Sequence, residues 1–266
     1  MLGIQNHNPS KVKCEILNLF SIASLKNLVL VYDLDVEVSS ESPDDYEGEI
    51  AEIIEFSTKN VYASFYEIPE NLEEFYSTEV MKSKQQILNI CVQTIQQSKV
   101  RLWHEVRQTR ISSSIAHRIK TRSQGFLDLA LSILNNTFTG NSSTEYGLKM
   151  ESIARKKYAE LTKTVVAQLG VVISQCCPWL CASPDGVARN NGSLKLLDVK
   201  CPSSCAGKEI VNRDSNVCNV PYLEFVDGNL TLNQNHSYFT QIQVSLFVLN
   251  LEECDFLFTA QRTQCY

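Results

Sequence analysis

The sequence predicts a mixed α/β (α+β) fold, and the order of helix and strand patterns in its second half carries that prediction. A long amphipathic pattern is followed by three short apolar segments, a hairpin pattern, an apolar helix and a final strand. Helices that alternate with short strands in this way are typical of a sheet with helices packed on it. The chain has 266 residues, 44% of them hydrophobic, which suffices for one sizeable core or for a core with a smaller appended segment.

Hydrophobic periodicity gives the individual elements. Helical spacing begins near Thr78, and its apolar positions are Val80, Ile87, Ile90, Cys91 and Ile95. Further helices are predicted from Ser112 to Ile119 and beyond, over Gly147–Gln168, and over about Tyr238–Leu249. Strands are predicted over Val171–Ser174, Trp179–Ser183, Leu194–Val199 and Asp255–Thr259. Tyr222–Val226 and Leu230–Leu232 predict a hairpin around Asp227-Gly228.

The first 80 residues differ in charge from the remainder. They contain 16 acidic and 4 basic residues, a net charge of -12, whereas residues 81–266 contain 14 acidic and 20 basic residues, a net charge of +6. Leu28–Val36 predicts a strand, and Ser39–Glu49 predicts an acidic loop or linker. We interpret residues 1–80 as an acidic accessory segment of unknown function and residues 81–266 as the functional domain.

A basic run lies between residues 101 and 122. Its cations are Arg101, Arg107, Arg110, Arg118, Lys120 and Arg122, against the single acid Glu105. Such a run is most often a solvated helix face, but a basic surface also attracts nucleic acid.

The chain carries no pattern of a secreted or membrane protein. Its first residues are polar and lack the apolar run of a signal peptide, and Leu17 to Tyr32 is too polar to span a bilayer. We therefore expect an intracellular protein, nuclear or cytoplasmic, whose ten cysteines are mostly free thiols. The spacing of the cysteines between Cys176 and Cys218 matches neither a zinc finger nor a ferredoxin, so a structural metal is not favoured.

The residues that carry chemistry lie in two short segments. The sequence SPDG from Ser183 to Gly186 places Asp185 on a tight turn at a strand end. In LLDVK, ending at Lys200, polar and apolar residues alternate, so Asp198 and Lys200 share one face of a strand. Two carboxylates beside a lysine are typical of a Mg²⁺ site, because Mg²⁺ prefers oxygen ligands and takes few from protein. Alone, each segment also fits a surface turn or an edge strand.

With these segments the chain resembles the YqaJ-like, or phage lambda exonuclease-like, branch of the PD-(D/E)XK nuclease superfamily. Members are similar in carrying the SPDG turn and an acidic-x-Lys-Cys-Pro strand, here CASPDGV and LLDVKCP. The helix GLKMESIARKKY from Gly147, the helix YFTQIQ from Tyr238 and the segment WHEVRQTRISSS from Trp103 resemble further motifs of that branch, in the same order. The resemblance runs from about Trp103 to Phe258.

The resemblance implies a restriction-endonuclease-like core, a central mixed sheet flanked by helices, and a role for each matched residue. Mg²⁺, with Mn²⁺ as a substitute, would be held by Glu151, Asp185, Asp198 and the Val199 carbonyl. Lys200 and Gln241 would position the attacking water, with Lys200 also favouring its deprotonation or offsetting charge on the phosphate. A terminal 5′-phosphate would be held by Arg107, Ser114 and Ser183, and Arg110, one turn away, could replace Arg107.

The implied activity is Mg²⁺-dependent hydrolysis of DNA, most simply by a 5′→3′ exonuclease acting on duplex ends in recombination or repair of viral or mobile-element DNA. An endonuclease is the other option. The rival interpretation is an inactive DNA- or partner-binding module derived from such a nuclease. The resemblance also admits a homo-oligomer and a single-strand annealing or recombination partner.

The chain departs from the branch in three ways. Two of them, Asp198 and the end at Tyr266, favour the rival interpretation, and the end at Tyr266 also favours a shortened copy. Asp198 stands where the branch usually has Glu, which moves the ligand by about one methylene group. The interval from Lys200 to Gln241 is long. Relatives continue where this chain stops at Tyr266, so we expect a domain that is shortened at its C-terminus.

Overall fold

A computed structural model describes residues 26–34, 47–60, 67–135, 142–190 and 192–261. Most of the predicted acidic loop Ser39–Glu49, and the last two residues of the predicted strand Leu28–Val36, lie outside these ranges. The described strands are β1 (Lys26–Leu34), β2 (Ile111–Ser112), β3 (Val165–Ala167), β4 (Val172–Ile173), β5 (Leu180–Ala182), β6 (Gly186–Asn190), β7 (Ser193–Lys200), β8 (Val211–Asn212), β9 (Val217–Cys218), β10 (Leu223–Val226), β11 (Asn229–Leu232) and β12 (Glu253–Gln261).

The described helices are α1 (Glu47–Ser57), α2 (Lys84–Gln93), α3 (Arg101–Gln108), α4 (Ala116–Lys120), α5 (Phe126–Leu134), α6 (Ser142–Thr162) and α7 (Ser237–Leu249). The segment from Glu70 to Val80 forms a series of short helical turns. Among these elements, no helix is long and apolar enough to cross a membrane.

The main sheet has the order β1-β12-β7-β6-β3. Its strands β1 and β7 both run parallel to β12, whereas β6 is antiparallel to β7 and β3 is antiparallel to β6. A smaller sheet of order β2-β5-β4 lies beside it and leads directly into the segment that begins at Ser183. The predicted mixed α/β fold is therefore confirmed.

Helices cover the two faces of the main sheet. The larger core cluster includes residues of α1, α2 and α7 packed against sheet residues such as Leu196 and Phe256. A second cluster places Met150, Ala154 and Tyr158 of α6 against the other face. Successive side chains of β7 point to opposite faces of the sheet. Leu197 and Val199 pack under α6, whereas Leu196 belongs to the cluster that contains α7.

The predicted hairpin is confirmed as β10 and β11, which pair antiparallel from Leu223↔Leu232 to Val226↔Asn229. Asp227 and Gly228 both have positive φ angles, 50° and 76°, as a two-residue type I′ turn requires. This hairpin and the β8–β9 pair account for much of the long interval between Lys200 and Gln241.

Two predicted helices need correction. The helix expected over Gly147–Gln168 begins earlier and ends at Thr162, where Lys163 takes a positive φ of 53° and the chain turns into β3. The helix expected from Ser112 begins only at Ala116, because Ser112 lies in β2 and pairs with Cys181 of β5. Helix α3 was not predicted.

Described parts of the first 80 residues join the same fold. Strand β1 pairs with β12 along nine residue positions, and α1 buries Ile50, Ile53 and Ile54 in the larger core cluster. In these ranges, the change of charge at residue 80 therefore does not coincide with a boundary between separate cores. An accessory role for residues 1–80 stays a prediction.

Candidate active site

Strand β7 and helix α7 bring an acid, a lysine and a glutamine together. The Lys200 Nζ atom donates a hydrogen bond to Asp198 Oδ1, and Gln241 Nε2 donates to Asp198 Oδ2 at 3.1 Å. Asp198 is only 2% exposed, so both of its oxygens are bonded in a nearly dry environment. The structure thus assembles three of the predicted residues from segments far apart in the sequence.

The second acid, Asp185, reaches the same place from the turn between β5 and β6. Its Oδ2 accepts a hydrogen bond from the Val199 backbone N–H at 2.7 Å and lies 4.0 Å from Lys200 Nζ. The next residue must be small, because a Cβ on Gly186 would come within 2.7 Å of the Val166 side chain. The glycine of the SPDG segment therefore lets the turn pack closely against the sheet.

The third acid, Glu151, lies on α6, which covers the opposite face of the sheet. Burial and the nearby Asp185 raise the pKa of Glu151 to about 7, although Arg155 acts against this shift. The Arg155 Nη1 atom donates a hydrogen bond to Glu151 Oε1 at 3.2 Å. The influence of Asp185 on this pKa shows that the two carboxylates repel each other.

Burial and charge also shift the pKa values along β7. Burial raises the pKa of Asp198 to about 6, against the opposing effect of Lys200. For Lys200 burial alone would lower the pKa, but Asp198 and Asp185 outweigh it and raise the pKa above its ordinary value. Lys200 is therefore protonated at neutral pH and can act as a hydrogen-bond donor and a positive charge, not as a base.

The residues present fit a hard divalent cation. Three carboxylates and the Val199 carbonyl supply the oxygen ligands that Mg²⁺ prefers, and a bound cation would relieve the repulsion between Glu151 and Asp185. In the described ranges, however, no three His, Cys, Asp or Glu side chains are arranged so that they could hold a metal ion by themselves. Water and substrate oxygens would therefore complete the coordination, as is usual for Mg²⁺.

A second group of predicted residues meets on the other side of the Ser183–Asp185 turn. The Arg107 guanidinium donates to Ser114 Oγ at 2.9 Å and approaches Ser183 Oγ at 3.5 Å. Trp103 Nε1 donates to the same Ser183 hydroxyl at 3.0 Å, and the Arg107 guanidinium carbon lies 4.0 Å from the centroid of the Trp103 ring. These described partners of Arg107 are all uncharged, which suits a site for an anion.

Arg110 requires a correction, because the structure does not bring it to this group. It is 5% exposed, and its guanidinium donates to the backbone carbonyls of Pro178, Val106, Glu79 and Val80. Since these acceptors occupy the guanidinium inside the fold, Arg110 has a structural role and is not an alternative to Arg107.

Several residues of the site were not predicted. Trp103 and Tyr238 stand within the recognised motifs, and the ring of Tyr238 lies 4.9 Å from Lys200 Nζ. Arg155 follows Glu151 by one helical turn, a spacing that could have indicated an ion pair. Gln97, whose Nε2 donates to the Pro184 carbonyl at 3.1 Å, lies in no motif and had no sequence signal.

A family model and a viral protein are similar to this chain. Residues 102–252 match the family model described as the YqaJ-like viral recombinase domain. An uncharacterized protein, R354, of Acanthamoeba polyphaga mimivirus is 30% identical over 128 residues, which cover 45% of this chain and 20% of that protein. The chain therefore spans about a fifth of the length of this curated relative.

Two solved structures of one exonuclease were also found to be similar. The crystal structure of the alkaline exonuclease LHK-Exo from Laribacter hongkongensis has a TM-score of 0.43 and 18% sequence identity, covering 60% of this chain and 74% of that one. The complex of LHK-Exo with dAMP gives the same TM-score and identity, covering 59% and 72%.

Proposed function

Because the chain belongs to the YqaJ-like viral recombinase domain family, we propose that it hydrolyses phosphodiester bonds of DNA in a reaction that depends on Mg²⁺. In finer detail, we propose a 5′→3′ exonuclease that acts on duplex ends during recombination or repair of viral or mobile-element DNA. On family membership alone, we also propose that the protein forms a homo-oligomer and acts with a single-strand annealing or recombination partner. The observation that carries the nuclease proposal is the turn from Ser183 to Asp185, which connects the acidic site to the cluster of Arg107, Ser114 and Ser183.

The acidic site is proposed to hold the ion through Glu151, Asp185, Asp198 and the Val199 carbonyl. Bound Mg²⁺, or Mn²⁺ in its place, would activate water and stabilise the leaving 3′-oxygen. The backbone N–H of Val199 fixes Asp185 through its hydrogen bond to Oδ2, so that the ligand position does not depend on the ion alone.

Lys200 and Gln241 are proposed to position the attacking water. The raised pKa keeps Lys200 protonated, so its Nζ can donate a hydrogen bond to the water or offset charge that develops on the phosphate. The amide nitrogen of Gln241 is bonded to Asp198, which leaves the amide oxygen directed to accept a hydrogen bond from a nearby donor. A protonated Lys200 cannot accept the water proton, and a divalent cation held at the acidic site would make that water more acidic.

Arg107, Ser114 and Ser183 are proposed to bind the terminal 5′-phosphate. A terminal phosphate carries more negative charge than an internal one, and a guanidinium with two hydroxyls can satisfy its oxygens by charge-assisted hydrogen bonds. Because Ser183 is two residues from Asp185, a phosphate bound here would place the neighbouring phosphodiester near the acidic site. This arrangement favours cleavage from a 5′ end.

The test compares nucleotide release from linear duplex DNA with Mg²⁺ and with EDTA, using the wild type, Lys200→Met and Lys195→Met. Lys195 lies on the same strand but pairs with Glu253 outside the site, so its variant is a matched loss of one lysine charge. We expect release only with Mg²⁺, from the wild type and Lys195→Met. DNA binding without any release by the wild type would support the rival, an inactive binding module.

A further inference from the structure

The backbone of the Ser183–Asp185 turn is held by two side chains to which the family resemblance gave no role. The Arg155 Nη1 atom donates a hydrogen bond to the Asp185 carbonyl, and Gln97 Nε2 donates to the Pro184 carbonyl at 3.1 Å. These donors come from different parts of the fold, α6 and the turn after α2. Adjacent carbonyls of one turn are thus fixed by two independent elements.

Arg155 connects two proposed ligands of the cation. The same Nη1 atom that bonds the Asp185 carbonyl also donates to Glu151 Oε1 at 3.2 Å. Its side chain is 13% exposed, so this bridge is shielded from solvent. One nitrogen atom therefore sets the separation between an acid on α6 and the turn that carries Asp185.

Gln97 itself has an energetically unfavourable backbone conformation while its side chain holds the turn. Its φ is 48°, in the left-handed region that residues other than glycine and asparagine rarely adopt. Its side chain is half-buried, and its backbone N–H donates to the Thr94 carbonyl at 2.8 Å. Non-glycine residues that keep such a conformation concentrate at functional sites.

We propose that Arg155 and Gln97 are positioning residues that fix the Ser183–Asp185 turn relative to Glu151 and thereby favour binding of a divalent cation. This inference rests on the proposed Mg²⁺-dependent function. The alternative for Arg155 is simple charge balance among three acids. The two roles predict opposite effects when the charge is removed, because a lost positive charge alone strengthens cation binding, whereas a lost bridge weakens it.

The experiment measures Mn²⁺ binding to the full chain without DNA, by titration calorimetry and by the electron paramagnetic resonance signal of free Mn²⁺. Arg155→Met keeps the length of the side chain and removes its charge and donors. Lys157→Met removes a cation from the exposed part of the same helix, where Lys157 lies 3.7 Å from Glu160. We expect Mn²⁺ binding to weaken by about tenfold in Arg155→Met and to change little in Lys157→Met.

Gln97→Gly tests the second anchor without straining the fold. Glycine adopts the positive φ at no steric cost, so the melting temperature should change little while the bond to Pro184 is lost. Gln96→Gly, one residue earlier and exposed, adds a glycine and leaves the anchor in place. We expect weaker Mn²⁺ binding in Gln97→Gly than in Gln96→Gly, at similar melting temperatures.

The outcomes separate this inference from the function on which it rests. If the wild type binds no Mn²⁺, the proposed metal-dependent function fails. If the wild type binds Mn²⁺ and Arg155→Met binds it equally or more tightly while Gln97→Gly matches Gln96→Gly, the positioning role is overturned and the function is untouched. Weakened binding in folded Arg155→Met, with partial recovery in Arg155→Lys, supports the inference.

Discussion

The two sides of the Ser183–Asp185 turn have opposite chemistry. The acidic side, made of Glu151, Asp185 and Asp198, carries carboxylates whose charges repel each other, while the basic side, made of Arg107, Ser114 and Ser183, carries a guanidinium with uncharged partners. By charge, the acidic side suits a cation and the basic side suits an anion. Under the proposed function, one turn would contribute to the binding of two phosphate groups. The scissile phosphodiester would be bound through a metal ion, and the terminal 5′-phosphate would be bound directly by Arg107 and the two serines.

Burial acts on both sides but with different consequences. It raises the pKa of Glu151 to about 7, close to neutrality, so protonation on the acidic side responds to ordinary changes of pH. Burial also lowers the pKa of Arg107, but a guanidinium starts so far above neutrality that it stays charged. The acidic side is therefore sensitive to pH and the basic side is not.

The largest effect is expected from Asp185→Asn, which removes a charge from the acidic side and keeps the shape of the side chain. Cleavage should fall at least about 1,000-fold, equivalent to roughly 4 kcal/mol in the barrier, because the cation loses a ligand. Binding of 5′-phosphorylated duplex should remain, since the basic side is unchanged. Single-turnover cleavage and fluorescence anisotropy measure the two properties, and a parallel loss of both would show that the sides are not separable.

The next effect concerns Arg110, which lies three residues after Arg107 but inside the fold. Arg110→Met should lower the free energy of unfolding by about 3 kcal/mol, because buried backbone carbonyls lose a charged donor. The preference for 5′-phosphorylated ends should stay as in the wild type. Urea denaturation measures the stability. An unchanged denaturation midpoint together with a lost preference for 5′-phosphorylated ends would show that Arg110 binds the terminal phosphate after all.

Arg107→Met should act on the basic side alone. Cleavage of 5′-phosphorylated ends should slow by about 30- to 100-fold, roughly 2–3 kcal/mol, while cleavage of 5′-hydroxyl ends should change far less. Arg101→Met is the matched control, because Arg101 is an exposed arginine of the same helix, paired with Glu105. Equal slowing on both kinds of end would mean that Arg107 contributes to general DNA binding and not to end recognition.

The smallest effect is the pH dependence of the acidic side. A protonated Glu151 cannot bind the cation, so affinity for Mn²⁺ should rise with pH through about 7, by at most about tenfold per pH unit. The folded pKa lies above the ordinary value of 4.5, so the metal-free protein should lose stability as the pH rises from about 4.5 to about 7 and change little above that. Calorimetry at pH 6 and pH 8, in buffers of different ionisation enthalpy, would detect the protons released; a flat affinity would remove Glu151 from the ligands.

Much of the acidic side could be predicted because its signals are local. A tight turn and period-2 alternation place Asp185, Asp198 and Lys200 from short stretches of sequence, and the structure brings them together with Gln241. The hairpin around Asp227-Gly228 was predictable for the same reason, since two residues with positive φ define its turn.

The remaining features depend on contacts that no local pattern encodes. Arg107 and Arg110 look alike in the sequence, and only the end of α3 at Gln108 decides that the second enters the core. The pairing of β1 with β12 joins residues near the two ends of the chain, so the acidic composition of residues 1–80 gave no indication of it. Gln97 reaches Pro184 in the same non-local way.

The most direct test of the proposed 5′→3′ exonuclease activity uses a linear duplex with a labelled 5′-phosphate at one end. The wild type with Mg²⁺ should release the label first as a mononucleotide, Lys200→Met should release none, and Arg107→Met should release the same mononucleotide more slowly. Label that appears first in longer oligonucleotides would contradict the claim that the Ser183–Asp185 turn couples end recognition to cleavage. Equal rates of nucleotide release from unlabelled 5′-phosphorylated and 5′-hydroxyl duplexes would contradict it as well.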